Sequence, residues 1–298
     1  MQTKPLQFLI FFTIFFLSDT VFGQGTKKNY PLKNINSKNT NKNLTPIHRP
    51  SVKKIGKPGE TFRKKARGNW SIMLGGLTFV RPRYMGSDQY KVNGFPLVDI
   101  KYKNTSFLNY QEGLGVNLLY APNFRVGVAF NYYGSRDEDD SDQLQGLSDI
   151  DAGVNVGAFG NISFGKFSTK LKIRQDISSN HDGLIVSGRL GYKTALTNKL
   201  RVNINIGTTF ANEDYMNTYF GISNVQSSAS GLSQFNAGSS IKDFEGGLNF
   251  IYPINKNWTA LTFTKYSRLL NDAASSPLVK VLGSKNQLKF AFGIAYRF

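Results

Sequence analysis

The strongest constraint on the fold is an alternation of apolar and polar residues with a period of two, which recurs from residue 69 to residue 298. In its most regular instance every second residue is apolar: Leu288, Phe290, Phe292, Ile294, Tyr296 and Phe298. Successive side chains of a β-strand point to opposite faces, so this spacing places all six on one face of a strand. The sequence contains no helical periodicity of comparable length. It therefore predicts an all-β fold.

The residues on the opposite face distinguish two all-β architectures. A water-soluble β-sandwich has strands of about 5 to 6 residues, whereas these segments have about ten, which is typical of strands that cross a bilayer in a barrel. The apolar face carries aromatic residues near its ends, and the other face combines charged residues with Gly and Ala. Because only a closed sheet satisfies every backbone N–H and C=O group in hydrocarbon, the pattern favours a transmembrane antiparallel up-and-down β-barrel.

Basic residues dominate the face that this prediction turns inward. They outnumber the acids Asp151, Asp176 and Glu245. Such a lumen favours anions if it conducts, and it is plugged if loop carboxylates fold inward and pair with it. The predicted lumen basic face comprises Arg125, Lys170, Lys172, Arg174, Arg189, Arg201 and Arg268, with Lys193, Lys289 and Arg297 on further inward faces.

The connections between the segments alternate between long and short. The long ones are 271–285, 212–240, 180–183 and 134–149, and the short ones are 255–257, 197–199, 165–166 and 121–123. Outer-membrane barrels have long external loops and short periplasmic turns, which predicts that both termini are periplasmic. Further strands at 69–80, 95–102 and 106–110 bring the count to twelve, or to ten if the weak segment 106–110 fails. The final ladder then closes the barrel by pairing with the first strand near Trp70.

The first 68 residues have a different composition. Lys4, the apolar run 8–17 and the small residues before Gln24 predict a secretory signal peptide over residues 1–23. Residues 24–68 contain thirteen Lys and Arg against Glu60 alone, which is +12 of the formal net charge of +18. Few apolar residues interrupt them, which predicts a disordered basic periplasmic tail.

This basic tail has two candidate roles. It is either a solvated linker or a contact to anionic lipid headgroups or the cell-wall polymer. It lacks interleaved aromatic residues for base stacking, so nucleic acid is not an expected partner. The chain has no cysteine, which excludes disulfides, thiolate metal sites and a lipoprotein anchor.

Three short stretches at predicted loop positions carry a family resemblance. They are RPRYMGS at 81–87, DYMNTYFGI at 214–222 followed by SGL at 230–232, and LLNDAASSPLV at 269–279. In this order they resemble the MltA-interacting protein family, also called MipA/OmpV, of outer-membrane barrels, over roughly residues 69–298. The family-motif residues expected at the external rim are Pro82, Tyr84, Gly86, Ser87, Asp214, Tyr215, Tyr219, Phe220, Gly221, Ser230, Gly231, Leu232, Asp272, Ala273, Ser276 and Pro277.

The resemblance implies a location in the outer membrane of a Gram-negative bacterium, in contact with lipid and lipopolysaccharide. The ending in Tyr296 and Phe298 also resembles the signal read by the barrel-assembly machinery. The member that gives the family its name scaffolds a murein transglycosylase with a murein synthase, and other members are described as porin-like or as surface antigens. Three functions therefore stay open: a scaffold for murein-remodelling enzymes, a small porin-like channel biased towards anions, and a surface-exposed binding or adhesion protein that uses 212–240.

Few residues suit catalysis or metal binding. His48 lies in the basic tail, and His181 with Asp182 lies in an Asn-rich turn, where turn chemistry is the more common role. The sequence lacks HExxH and G-x-S-x-G motifs. The acidic run 137–142 is either a solvated hairpin tip or a site for a divalent cation shared with lipopolysaccharide phosphates. We therefore expect a protein that is not an enzyme and has no cofactor.

Overall fold

The computed structural model describes residues 68–110 and 112–298. The predicted signal peptide (1–23) and the basic tail (24–68, apart from Gly68) lie outside the described residues. Twelve antiparallel strands form a closed barrel in which neighbours along the chain are neighbours in space. The strands are β1 (Trp70–Pro82), β2 (Tyr90–Tyr102), β3 (Ser106–Asn109), β4 (Gly113–Ala121), β5 (Phe124–Tyr133), β6 (Gly153–Phe164), β7 (Phe167–Asp176), β8 (Leu184–Ala195), β9 (Arg201–Ala211), β10 (Ser240–Pro253), β11 (Trp258–Leu269) and β12 (Asn286–Arg297). The prediction of a twelve-stranded antiparallel barrel, including the weak third strand, is confirmed.

The predicted closing strand is also confirmed. β12 pairs with β1 from Met73 opposite Arg297 to Val80 opposite Phe290. Along β12 the side chains alternate as the period of two requires. The outward residues Leu288, Phe290, Phe292 and Ile294 are exposed, and the inward residues Gln287, Ala291 and Ala295 are buried.

The two ends of the barrel differ in their connections. The turn end has the short links 103–105, 122–123, 165–166, 196–200 and 254–257, and the loop end has the longer links 83–89, 134–152, 177–183, 212–239 and 270–285. Aromatic pairs mark the outer surface near the turn end, with ring centroids 4.7 Å apart for Trp70–Tyr102, 5.0 Å for Phe167–Tyr192 and 5.1 Å for Trp258–Tyr296. Such aromatic girdles flank the apolar band of membrane barrels.

Four short α-helices and two 3₁₀-helices, Glu138–Asp140 and Asp142–Leu144, were not predicted in the loop-end links. The α-helices are α1 (Glu213–Phe220), α2 (Asn224–Ser230), α3 (Asn271–Ser275) and α4 (Pro277–Lys280). The capping box of α2, in which Ser223 and Gln226 bond each other's backbone N–H, and the left-handed Gly231 after it are signals that the sequence did carry. None of the helices in the described ranges has the length and apolar character needed to span a bilayer.

The interior of the turn-end half is more apolar than the alternation predicts. An interior apolar cluster on the inward face of β1, β2 and β10 to β12, with Tyr110 after β3, comprises Leu77, Leu97, Tyr110, Ile251, Leu261, Phe263, Ala291 and Ala295. Side chains fill the interior of narrow barrels, whereas 16-stranded porins leave an aqueous channel. Apolar side chains therefore pack the interior along these five strands.

The β1–β12 seam provides a test of closure. A Cβ atom on the inward Gly75 would collide with the backbone of Ile294 and Ala295, whereas a Cβ on the outward Gly76 meets nothing within 4 Å. We expect Gly75→Val to destabilise the barrel by about 1–3 kcal/mol through overpacking, and Gly76→Val to leave it unchanged. The temperature at which the compact, heat-modifiable gel band is lost measures the difference. Equal loss in both variants would contradict this account of the seam.

Candidate functional site

A cavity of about 720 Å³ occupies the loop-end half of the barrel interior. None of its lining residues belongs to the interior apolar cluster, so it lies between that cluster and the loops. Charged side chains of one sign dominate its wall. The basic members are Arg81, Arg83, Lys91, Arg136, Arg174, Lys242, Lys265 and Lys289, and the acidic ones are Asp137, Asp140 and Asp243. A cavity with this excess of positive charge on its wall favours anions.

Four of these cations form a row across adjacent strands, which we call the basic row: Lys91, Arg81, Lys289 and Lys265. Arg81 pairs directly with Lys91 across β1 and β2, and Lys265 with Lys289 across β11 and β12. Val80 pairs with Phe290, so the next rung places Lys289 beside Arg81. Like charges directly opposite one another in a sheet are destabilising.

Carboxylates offset part of this repulsion. Asp140, from the link between β5 and β6, places Oδ1 2.6 Å from Nζ of Lys91, and Glu245 on β10 pairs with Lys265. Glu245 also pairs with Arg189, and Asp243 pairs with Lys242. A loop carboxylate thus folds inward to the lumen cations, as the plugged-barrel alternative anticipates.

Two residues of the predicted lumen basic face lie deeper, in a buried ion cluster. Glu112, which directly precedes β4 and is 2 % exposed, accepts from Arg125 at 2.6 Å and from Lys170 at 2.5 Å. The Arg125 guanidinium lies over Phe159, 5.0 Å from its ring centroid. This cluster holds the tip of the β3–β4 hairpin inside the barrel. Sequence reasoning missed Glu112 because it belongs to no alternating segment.

The prediction that Arg268 faces the lumen is wrong. Arg268 shares its face of β11 with the exposed Trp258 and Tyr266, and it donates to Oδ1 of Asn286 at 3.3 Å. The alternation in β11 is obscured because inward positions such as Leu261 and Phe263 are also apolar. Arg201 is exposed at the start of β9, at the turn end. Lys172, Arg174 and Arg189 do lie on inward faces, and of these Arg174 lines the cavity.

The loop-end links pack into a cap over the cavity, defined by residues 82–89, 134–152, 212–239 and 270–285. The family-motif residues lie within it. Those that are buried are Pro82, Tyr84, Gly86, Ser87, Tyr215, Phe220, Leu232, Ala273 and Ser276; Tyr219, Gly221, Ser230, Asp272 and Pro277 are half-buried, and Asp214 and Gly231 are exposed. The geometry thus assigns most of them to packing between loops.

Specific contacts tie the motif stretches together. Ser276 Oγ donates to the carbonyl of Phe220 at 2.7 Å, and Asp272 Oδ2 accepts from the amide of Gly238 at 2.8 Å. Gly86 has a φ of +102°, and a side chain there would collide with Val279. The cap is therefore a packed layer rather than a set of independent loops.

His181 belongs to an aromatic cluster under the cap. Its ring centroid lies 4.9 Å from Tyr133, 5.6 Å from Tyr215 and 5.6 Å from Tyr219. Nδ1 accepts from the amide of Gly183 at 2.9 Å. Burial lowers the pKa of His181, and the nearby carboxylates Asp176 and Asp182 offset this only in part. His181 is therefore neutral near pH 7 and serves packing between the strands and the cap.

This burial makes cap stability depend on pH. The folded pKa of His181 lies below its unfolded value of 6.5, so the cap loses stability as the pH falls below 6.5 towards the folded pKa. We expect the opening constant of segment 212–239 to rise about tenfold per pH unit in that window. Hydrogen–deuterium exchange, corrected for intrinsic rates, measures it. His181→Gln should abolish the dependence, and pH-independent exchange in the parent protein would contradict the expectation.

The structure suggests no metal centre among residues 68–110 and 112–298, where no group of three or more His, Cys, Asp or Glu side chains is arranged to hold an ion. In the acidic run 137–142, Asp140 is engaged by Lys91. His181 and Asp182, the pair that could in principle activate water, are used for cap packing and turn geometry, since Asp182 has a left-handed φ of 45°.

Comparison with known proteins identifies the family. The family model described as MltA-interacting protein MipA matches residues 74–298. Outer membrane protein OmpV of Vibrio cholerae is 26% identical over 179 residues, which cover 58% of this chain and 62% of that protein. Outer membrane protein Omp26La of Vibrio anguillarum is 25% identical over 169 residues, 54% of this chain and 61% of that protein. The matches thus span about three fifths of each relative.

Among solved structures, the outer membrane channel DcaP of Acinetobacter baumannii aligns with 77% of this chain and 96% of its own, at 8% identity and a TM-score of 0.37. The match to the family model carries the assignment, since it covers well over half of the chain and nearly the whole barrel. This chain is an outer-membrane β-barrel and belongs to the MltA-interacting protein (MipA) family.

Proposed function

We propose that this barrel is a scaffold that holds a murein transglycosylase at the outer membrane, with its turn end facing the periplasm. The name of the family describes an interaction with MltA, and a scaffold needs no open lumen. The interior apolar cluster occupies part of the lumen and the cap covers the loop end, and both support a role that does not depend on flow through the barrel.

The charge of the turn end supports this orientation and indicates the kind of partner. Its five links carry Lys103, Lys166, Lys199 and Lys256 and no acidic residue. Nζ of Lys103 and Lys166 lie 5.4 and 5.9 Å from the ring centroids of neighbouring tyrosines. The basic residues 24–68 join β1 at the same end through Gly68. An acidic face on the partner is the complement to such a surface.

The loop end has the opposite charge. Its five longer links contain twelve acidic residues, Asp88, Asp137, Glu138, Asp139, Asp140, Asp142, Asp149, Asp151, Asp182, Glu213, Asp214 and Asp272, and four basic ones, Arg83, Arg136, Lys280 and Lys285. The barrel is thus polarised along its axis. A partner that recognises positive charge would distinguish the two ends without any further feature.

Binding of a purified murein transglycosylase to the detergent-solubilised protein tests the proposal. We expect a complex whose affinity falls roughly tenfold when the four turn-end lysines are changed to Gln, because each exposed ion pair contributes about 0.2–1 kcal/mol. Deletion of 24–68 should also weaken it. The matched control changes Lys280 and Lys285, at the loop end, to Gln and should bind like the parent. Absence of a complex, or equal weakening by the control, would refute the scaffold.

A porin-like channel is the second candidate, because the cavity wall is basic. Steady flow would have to pass both the cap and the interior apolar cluster. We therefore expect no discrete conductance steps from the purified barrel in planar bilayers, measured beside a 16-stranded porin as positive control. Steps with an anion-selective reversal potential in a salt gradient would favour the channel over the scaffold.

A further inference from the structure

The barrel wall is interrupted beside β2. This strand has 13 residues and β3 has four, and only Asp99 to Tyr102 of β2 pair with β3. The other nine residues, 90–98, pair with β1 on one side, and in the part of the chain that the structure describes no strand pairs with their other side. At about 3.3 Å per residue, this edge is roughly 30 Å long. We call the space between it and the end of β5 the side gap.

The base of the side gap is held in place from inside. The β3–β4 hairpin ends where Glu112 turns into the barrel and pairs with Arg125 and Lys170. These pairs are almost completely buried, so the hairpin tip is anchored well below the rim. The interruption of the wall is therefore part of the packed structure.

The sequence of β2 suits an exposed edge. The carbonyl of Tyr102 accepts from Thr105 on the β3 side, and backbone groups two residues apart point to the same side. Pro96, six residues earlier, therefore turns its nitrogen, which carries no hydrogen, to the side gap. Proline in a sheet is confined to such edges. Gly94 lies two residues before Pro96, and a Cβ atom placed on Gly94 would have no other atom within 4 Å. The space beside this part of the strand is therefore open.

The side gap lies at the level of the apolar outer surface. The outward residues of β2 run from Tyr90 through Val92 and Val98 to Tyr102, so Gly94 and Pro96 sit midway between the aromatic ends. Unpaired backbone at membrane depth is tolerated where it lines a cavity. The cavity meets this condition, because it is lined by Gly94, Phe95 and Pro96 on one margin and by Tyr133, Gly134 and Ser135 on the other.

The cavity wall combines two chemistries. Phe95, Tyr133, Tyr215 and Met85 contribute apolar and aromatic surface, and the basic row contributes positive charge. Several buried polar atoms of lining residues have no hydrogen-bond partner in the described protein, among them the donor Arg81 Nε and the acceptors Asn93 Oδ1 and Asn155 Oδ1. The cations and Arg81 Nε match an acidic headgroup, the two Asn acceptors match a hydroxyl group on that headgroup, and the apolar surface matches an alkyl chain. A volume of about 720 Å³ holds a ligand of moderate size.

We propose that the cavity binds an amphipathic anion from the membrane, with its phosphate or carboxylate group at the basic row and its alkyl chain leaving through the side gap into the lipid. The cap lies above the cavity and the interior apolar cluster lies below it. The side gap is therefore the path with an apolar margin between the cavity and the lipid. The proposal is independent of the scaffold function, which uses the turn end.

Binding of dodecyl phosphate tests the site. In dodecyl maltoside, native mass spectrometry should show one bound molecule per barrel, and dodecyl trimethylammonium should not bind. Arg81→Gln and Lys289→Met, made separately, should each weaken binding about 10-fold to 100-fold, the range for a hydrogen bond to a charged group. Lys280→Met, in the cap, is the matched control. Each variant must keep the heat-modifiable band, and the two basic-row variants provide independent readings if one fails to fold.

Access through the side gap is tested by filling it. Gly94→Trp should slow the association of dodecyl phosphate from neutral-lipid nanodiscs at least about tenfold, whereas Gly188→Trp should not, since Gly188 lies on the fully paired β8 with nothing within 4 Å of its Cβ position. Inorganic phosphate is the probe for access from water. Three outcomes would each overturn the proposal. The first is that inorganic phosphate binds as well as dodecyl phosphate and Gly94→Trp has no effect. The second is that dodecyl phosphate does not bind, and the third is that Gly94→Trp changes the oligomeric state.

Discussion

Hydrogen-bond closure of the sheet is the constraint on which the rest of this structure depends. In hydrocarbon each backbone N–H and C=O group needs a partner within the protein, and pairing of β12 with β1 supplies it along the seam. Once the sheet is closed, every side chain faces either lipid or the interior. The exception is the edge of β2 from Tyr90 to Val98, and it coincides with the margin of the internal cavity.

The interior is divided into levels of different chemistry. In the turn-end half, apolar side chains such as Leu261 and Phe263 pack on the inward faces of β1, β2 and β10 to β12. In the loop-end half, cations line the cavity under the cap. Arg81 and Lys91 stand directly opposite one another although like charges repel across a sheet. Natural proteins keep such unfavourable arrangements mainly where function requires them. The neighbouring Asp140, contributed by the cap, links this charge to loop packing.

Local sequence patterns were sufficient to predict the barrel wall, and they were insufficient to predict how the interior and the cap are packed. Strand number, the closing strand and the alternation of long and short links could all be predicted, because each depends on residues close in sequence. Arg268 was assigned to the wrong face because apolar residues occupy both faces of β11. Glu112 and the packing of the cap were missed, since they depend on contacts between residues far apart along the chain, such as Glu112 with Lys170 and Ser276 with Phe220. Helix α2 was missed although its capping signals are local.

The sequence by itself determined that this is a transmembrane β-barrel, because a period of two records which side chains meet lipid. It favoured twelve strands and left ten open, and the structure shows twelve. The sequence also contains the difference in charge between the two ends of the barrel, since lysines occur in the short turns and carboxylates in the long loops. Only the tertiary structure decided that an apolar cluster occupies part of the turn-end half while cations line a cavity in the loop-end half, and that β2 has an open edge. These properties arise from strand register and from the inward turn of one hairpin, which bring together residues with no local relation in the chain.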